Sequence, residues 1–183
     1  MQKKAVLTAV GKDRPGIVAA VTGMLYKLGC NLEGTSMTLL QGEFAMILIL
    51  SFPESTGINQ LKDMVRALEE ELGLLFSFKE LDPGEMRHGD PVRGKPYSLN
   101  VIGADHPGIV HRIASYLAQT GINITDVNTQ LVGEKRKSPV YIMVLELDIP
   151  SDLKISGFSN ELKVLAKDLK VDIALNPVEV FQG

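Results

Sequence analysis

Tryptophan is absent from this chain of 183 residues, and aromatic side chains make up only 5% of it. Stacking platforms for bases or sugars need exposed rings, so this shortage disfavours a protein whose main ligand is single-stranded nucleic acid. The one cysteine excludes an intramolecular disulfide. Basic residues are in deficit as well, since 19 lysines and arginines stand against 22 acids and leave a net charge of −3. A surface that follows a phosphate backbone normally needs a basic surplus.

Long apolar runs are missing from the N-terminal segment. Lys3 and Lys4 are followed by a short apolar stretch before charge returns at Lys12, which fits neither a signal peptide nor a membrane span. We therefore expect a cytoplasmic protein. With 45% apolar and 22% charged residues the composition is that of a globular protein, and the length suits two small domains.

The sequence repeats itself. Residues 7–18 and 99–110 align at a constant offset of 92 positions, and seven of the twelve pairs are identical. The same register continues beyond them, for example from Gly29 to Gly121. The economical interpretation is two copies of one domain.

A linker is predicted between the two copies. Residues 82–96 contain three prolines, three glycines and almost no apolar side chain. We therefore predict a first domain over residues 1–82, a linker over 83–95 and a second domain over 96–183.

The spacing of apolar residues changes in the same order within each copy. Short apolar runs predict first strands at residues 4–10 and 97–102, and residues at helical spacing follow them. Each first helix should end at a glycine, Gly29 or Gly121. Two strands, a second helix and a last strand complete each copy. This order predicts an α+β fold of two ferredoxin-like (βαββαβ) domains, each a four-stranded antiparallel sheet with two helices on one face.

The third strand of each copy is unusually apolar. Residues 44–50 and 140–145 are apolar at nearly every position, which predicts burial on both faces of the strand. The sister domain, a second chain or both should then cover the sheet face that the helices leave open.

The turn between the first strand and the first helix is the strongest candidate site. It reads GKDRPG at residues 11–16 and GADHPG at residues 103–108. A proline in the first helical turn loses no hydrogen bond, and the exposed amides there favour a carboxylate. Asp13 and Asp105 would repel a phosphate but attract an ammonium group, so an α-amino acid suits both features. The alternative is that each aspartate only caps its helix, worth about 1 kcal/mol, while the glycine is a packing device.

The pattern G-x-D-x-P-G-I after a strand, then a helix and G-x-N at the next strand, resembles the ACT domain. ACT domains are regulatory modules of amino-acid metabolism that typically bind small amino acids at domain or subunit interfaces. The resemblance covers roughly residues 3–81 and 94–181. A bare tandem of two such domains resembles the glycine cleavage system transcriptional repressor family. The resemblance implies a non-enzymatic regulator, without a cofactor, that senses glycine or serine.

Candidate ligand contacts lie at the same positions of both copies. They are Gly11, Asp13, Arg14, Gly16, Ile17 and Asn31 in the first copy, and Gly103, Asp105, His106, Gly108, Ile109 and Asn123 in the second. Many ligand-binding ACT domains have asparagine where this chain has Asp13 and Asp105, so the chain keeps the side-chain acceptor and adds a charge. Arg14 and His106 either receive a ligand carboxylate or are solvated charges. Asn31 and Asn123 contact the ligand or are turn residues bonded to their own backbone.

Other reactive residue types give weaker signals. His106 and His111 are five positions apart, which does not place them on one helical face, so we expect no metal site. Cys30 matches Ile122 in the repeat, which indicates a small buried side chain rather than a nucleophile. The basic residues 135–137 form a solvated loop or contact a partner or nucleic acid.

Three classes of function are compatible with these sequence features. We favour a regulatory protein that binds a small amino acid, contacts another regulatory protein rather than nucleic acid or a membrane, and forms a homo-oligomer. One alternative is an ACT-like interaction module without a ligand. Another is a small ferredoxin-like hydrolase, which Asp13 and Asp105 oppose because they would repel a phosphate. A nucleic-acid module is disfavoured because Ile47 and Ile142 stand where central-strand aromatics would be needed.

Overall fold

The structure of the chain, a computed structural model, describes residues 3–82, 94–133 and 139–178. It divides into two units, Met1–His88 and Gly89–Gly183. None of the helices in the described ranges has both the length and the apolar character needed to cross a membrane.

Both units follow the predicted order of elements. The first contains β1 (Lys3–Lys12), α1 (Ile17–Lys27), β2 (Asn31–Leu40), β3 (Glu43–Phe52), α2 (Ile58–Leu72) and β4 (Leu75–Leu81). The second contains β5 (Gly94–Ala104), α3 (Ile109–Gln119), β6 (Asn123–Val132), β7 (Val140–Pro150), α4 (Ile155–Leu169) and β8 (Val171–Pro177). Each unit has one four-stranded antiparallel sheet, in the orders β2-β3-β1-β4 and β6-β7-β5-β8. The predicted α+β, ferredoxin-like fold is confirmed.

One face of each sheet is buried under the two helices of its unit. Along β1 the side chains of Ala5, Leu7 and Ala9 are buried at alternate positions, as the period of a strand requires. Val21 of α1 and Leu61 of α2 belong to the same core. The second unit is built in the same way. The helices therefore pack against one side of the sheet only.

Within its own unit each central strand, β3 or β7, is covered by the helices on one face. Buried and partly exposed positions alternate over most of both strands. On the outer face, Ile47 is 45% exposed and Val140 is 43% exposed. Burial of this second face by the sister domain, a second chain or both stays a prediction.

The predicted linker lies mostly outside the described residues, as do His88 and the basic residues 135–137. Its last two residues, Gly94 and Lys95, belong to β5, which begins earlier than predicted. Gly94 pairs with Pro150 of β7, so this end of the strand is held by the ladder.

The first helices end where the glycines predict. Gly29 has a φ of 69° and Gly121 has a φ of 70°, the left-handed conformation that closes a helix. The second helices, α2 and α4, also occupy the ranges that their apolar spacing indicates.

We expect an added methyl group to destabilise the protein more at Gly103 than at Gly11. A Cβ at Gly103 would lie 2.7 Å from Val171 Cγ1 and 3.1 Å from its Cα, whereas at Gly11 it would lie 2.6 Å from Leu74 Cδ2 and 3.4 Å from its Cα. The tip of the leucine can rotate away, but the valine backbone cannot. Urea unfolding should show losses of about 2 kcal/mol for Gly103→Ala and about 1 kcal/mol for Gly11→Ala.

Gly157→Ala in α4 is the matched control. An added Cβ there meets nothing within 4 Å, and the change should stabilise the helix by about 0.5–1 kcal/mol. Equal losses at Gly11 and Gly103 would contradict the role assigned to the valine backbone.

Candidate functional site

The helices α1 and α3 each begin directly after a glycine in the left-handed conformation. Gly16 and Gly108 are the N-cap residues, with φ values of 97° and 100°. A Cβ on either glycine would meet nothing within 4 Å, so the backbone conformation and not crowding requires glycine. The alternative that this glycine is a packing device is therefore wrong, and the space above the turn is open.

The amides of the first helical turn have no capping side chain in either unit. The first helical bonds at these ends run from Ala20 N to Gly16 O and from Arg112 N to Gly108 O, each 2.9 Å long. The amides that precede them, beginning with Ile17 and Ile109, have no acceptor within the helix. Both isoleucine side chains are buried in the core. The core therefore holds these amides at the surface in a fixed direction.

Asp13 and Asp105 are exposed and lie three residues before their N-caps. The alternative that they cap the helices is therefore wrong. The backbone N–H of Asp13 donates to Gly42 O at 3.0 Å, which ties the turn to the hairpin between β2 and β3. Pro15 and Pro107 also precede the N-caps. They therefore lie outside the helix, whereas the sequence pattern predicts them in the first helical turn.

Arg14 and His106 bind the end of the second helix of their unit. Arg14 Nη2 donates to the carbonyl oxygens of Glu71 at 3.2 Å and Leu72 at 3.1 Å. His106 Nε2 donates to the carbonyl oxygen of Leu169 at 2.7 Å. Leu72 and Leu169 are the last residues of α2 and α4, whose terminal carbonyls have no helical donor. Neither predicted role, ligand contact or solvated charge, describes these bonds, which hold the turn to the second helix.

Gly11 and Gly103 lie at the ends of the first strands, where those strands contact the start of the last strands. Their surroundings, Leu74 and Val171, account for both glycines by packing. Packing alone is thus a sufficient reason for both glycines, and their role as ligand contacts stays a prediction.

Asn31 and Asn123 lie at the opposite end of each sheet from the turn. Asn31 pairs with Ser51, which pairs with Lys4, seven residues before Gly11 along β1. At about 3.3 Å per residue this separation is about 23 Å. The first helix returns the chain to the start of the first strand before the second strand begins. The prediction that the asparagine and the aspartate of one unit lie near each other is therefore wrong.

The strand partner of each asparagine has a buried oxygen without a hydrogen-bond partner. Asn31 pairs with Ser51, whose Oγ is such an atom, and Asn123 pairs with Asp148, whose Oδ1 is another, in equivalent positions of the two units. Buried polar atoms are normally hydrogen-bonded. This end of each sheet is thus short of one polar partner within the described chain.

Tyr141 of β7 is a residue near the second turn that the sequence motifs did not indicate. It pairs with Gly103, and its side chain is buried. Burial, with help from the negative charge of Asp105, raises the pKa of Tyr141, while a hydrogen bond with Thr129 acts in the opposite direction. Phe44 holds the equivalent position opposite Gly11. An alignment of the third strands would have revealed this difference between the two turns.

Cys30 packs against the core of the first unit, and burial raises the pKa of its thiol. A thiol in this state is a poor nucleophile. Across residues 3–82, 94–133 and 139–178, no three histidine, cysteine or acidic side chains come together as metal ligands.

Comparisons with known proteins agree with this architecture. Models of the ACT domain match residues 3–79 and 97–155, one in each unit. The glycine cleavage system transcriptional repressor of Escherichia coli is 26% identical over 183 residues, which cover 99% of this chain and 93% of the relative. A UPF0237 protein of Streptococcus mutans is 39% identical over 76 residues, which cover 42% of this chain and 86% of the relative. A crystal structure of an unknown protein from Galdieria sulphuraria matches with a TM-score of 0.79 at 27% identity, over 98% of this chain and 100% of the other.

The glycine-capped turn, the repeated order of elements and the two family matches agree with one another. The chain belongs to the ACT domain family, with one ACT domain in each of its two units.

Proposed function

We propose that this chain is a non-enzymatic regulator that binds a small amino acid at the turns before α1 and α3 and acts by contacting another protein. The observation that supports the proposal is the same in both units. The first amides of the helix have no capping side chain, an exposed aspartate lies three residues before the N-cap, and the space around the N-cap glycine is open. The amides suit a carboxylate, because the helix N-terminus carries a partial positive charge. The aspartate suits an ammonium group.

Glycine is the first ligand to test, with serine next. The relative from Escherichia coli is named a repressor of the glycine cleavage system, and the chain matches it over its full length. The open space at Gly16 and Gly108 sets no upper limit on ligand size. The case for a small ligand therefore depends on this likeness and on the charges of the turn.

The two turns should not bind the ligand equally. In the second unit the charge of Asp105 acts on the buried Tyr141, whose hydroxyl donates to Met143 Sδ at 3.8 Å, whereas the first unit has the hydrocarbon ring of Phe44 at this position. A phenol can exchange this weak hydrogen bond for one to a ligand, which a phenyl ring cannot do. We therefore expect two binding steps of different affinity.

Asn31 and Asn123 contribute to a ligand site of a second copy of the chain, because the turn of their own unit is too far away. Each lies about 23 Å along the sheet from the start of the turn that holds the aspartate of its own unit. The strand partner of each asparagine also has a buried oxygen without a hydrogen-bond partner within the described chain. A site shared between copies would satisfy both observations.

The structure gives a reason against the alternative function as a hydrolase. An arginine in the first turn would have to be free to bind a phosphate, but Arg14 donates to the carbonyls at the end of α2. The exposed Asp13 would repel the phosphate in addition. An interaction module without ligand remains the competing function.

Glycine or serine should raise the melting temperature of the purified chain in a thermal-shift panel of the twenty amino acids. At a ligand concentration about 100 times the Kd, binding to the native state alone adds about 2.7 kcal/mol, a shift of roughly 5–10 °C for a chain of this size. Stabilisation by none of the twenty would favour the interaction module.

The double variant Asp13→Ala and Asp105→Ala should lose this shift without losing stability, because neither side chain caps a helix. The matched control is Asp63→Ala with Asp152→Ala, which removes two exposed carboxylates elsewhere and should keep the shift. An unchanged shift in the first double variant would contradict the role of the aspartates.

Mixing two inactive variants tests the shared site. The aspartate double variant and the double variant Asn31→Ala with Asn123→Ala should each fail to bind in isothermal titration calorimetry. In a randomly exchanged 1:1 mixture half of the dimers are mixed, and half of their sites combine an intact aspartate with an intact asparagine. We expect about a quarter of the wild-type capacity to return. No recovery after exchange would contradict a site shared between copies.

The purified chain should not bind double-stranded DNA tightly at physiological salt, because its net charge is −3 and tight binding needs several phosphate contacts. A gel shift should show no complex in the nanomolar range. A nanomolar complex that disappears when Lys135, Arg136 and Lys137 are changed to alanine would overturn this expectation.

A further inference from the structure

A groove runs between α1 and α2 on the helical face of the first unit. Its volume is about 290 Å³. Gly23 and Ala67 keep it open, and Met24 and Met64 form apolar walls. Methionine adapts its shape to different neighbours, which suits a contact surface. No residue of the candidate ligand turn lines this groove.

The second unit closes the same place with a polar bridge. Tyr116 stands at the repeat position of Met24 and donates to Glu161 Oε2 at 2.7 Å. Glu161 stands at the position of Met64, and the Tyr116 ring stacks on Phe158 with ring centroids 5.8 Å apart. The two units share one fold, so the open groove is a property of the side chains of the first unit.

The two units also differ in an ion pair between their helices, which among the described residues only the second unit has. In the second unit Arg112 of α3 forms an ion pair with Asp168 of α4. The equivalent residues of the first unit are Ala20 and Glu71. Within the described residues the Glu71 carboxylate has no ion pair.

The groove carries opposite charges at its two ends. Lys27 is the last residue of α1, and it lines the groove together with Glu71. Arg14, which precedes α1, binds the carbonyl of Glu71, so Glu71 lies beside the start of α1. Lys27 and Glu71 therefore lie at opposite ends of the groove. Ala20 is the α1 residue at the level of Glu71, and it lies about 10 Å from Lys27 along the helix at about 1.5 Å per residue.

We propose that this groove is the surface on which two copies of the chain associate, helix against helix, about a two-fold axis near Gly23. An antiparallel second copy brings each Lys27 to the Glu71 of the other copy, so one contact makes two identical ion pairs. Such self-complementary charge is what an isologous interface requires. The small side chains along the groove let the helices approach closely. The groove does not include the residues of the ligand turns, although Glu71 at its end is bound by Arg14 of the first turn.

Charge exchange tests the proposal by sedimentation velocity of the full chain over a range of concentrations. Lys27→Glu or Glu71→Lys alone should raise the Kd of self-association about tenfold, because each turns two ion pairs into two like-charge contacts. The double variant K27E with E71K should restore the wild-type Kd. Lys163→Glu on the exposed surface of α4 is the matched control and should change nothing.

Cross-linking gives a second measurement that does not depend on charge. Gly23→Cys in a Cys30→Ser background should form a disulfide-linked dimer on mild oxidation, since Gly23 has nothing within 4 Å and lies at the proposed axis. Ser115→Cys, the equivalent position of the second unit, should not. A wild-type chain that is monomeric at about 100 μM, or self-association that neither single charge variant weakens, would overturn the proposal.

Discussion

The burial of one face of each sheet under two helices is the constraint on which the rest of the structure depends. Because the core occupies that face, polar groups that could bind a ligand can lie only at the ends of the sheet, on its outer face or on the outer side of the helices. The crossover helices then decide which end each group occupies. Asp13 precedes α1 and Asn31 follows it, so the length of this crossover helix places the two residues at opposite ends of the sheet.

Contacts within its own unit hold each strand-to-helix turn in place. A left-handed glycine sets its direction, a buried isoleucine fixes the first helical residue, and Arg14 or His106 ties it to the end of the second helix. The side chains that looked most like ligand contacts in the sequence therefore include several that position the turn. What they leave exposed are the backbone amides and one carboxylate, which is enough to recognise both charges of an amino acid.

Duplication kept the fold and changed the surfaces. The core positions of the two units are equivalent, but the helix groove is apolar and open in one unit and bridged by Tyr116 and Glu161 in the other. The environment of the turn also differs, with Phe44 in one unit and Tyr141 in the other. In the proposals made above, these differences give the two similar modules separate tasks: the helix groove of the first unit serves assembly, and the two turns bind the ligand unequally.

The sequence by itself determined the repeat, the order and type of the elements, the glycine ends of the first helices and the family. These features depend on local periodicity and backbone preference, which neighbouring residues carry. Only the tertiary structure decided that Asp13 caps nothing, that Arg14 and His106 bind helix carbonyls and that Asn31 lies far from its aspartate. Those facts depend on contacts between residues distant along the chain. Burial of the outer face of β3 depends on such contacts too, because an apolar composition reflects strand preference and burial alike.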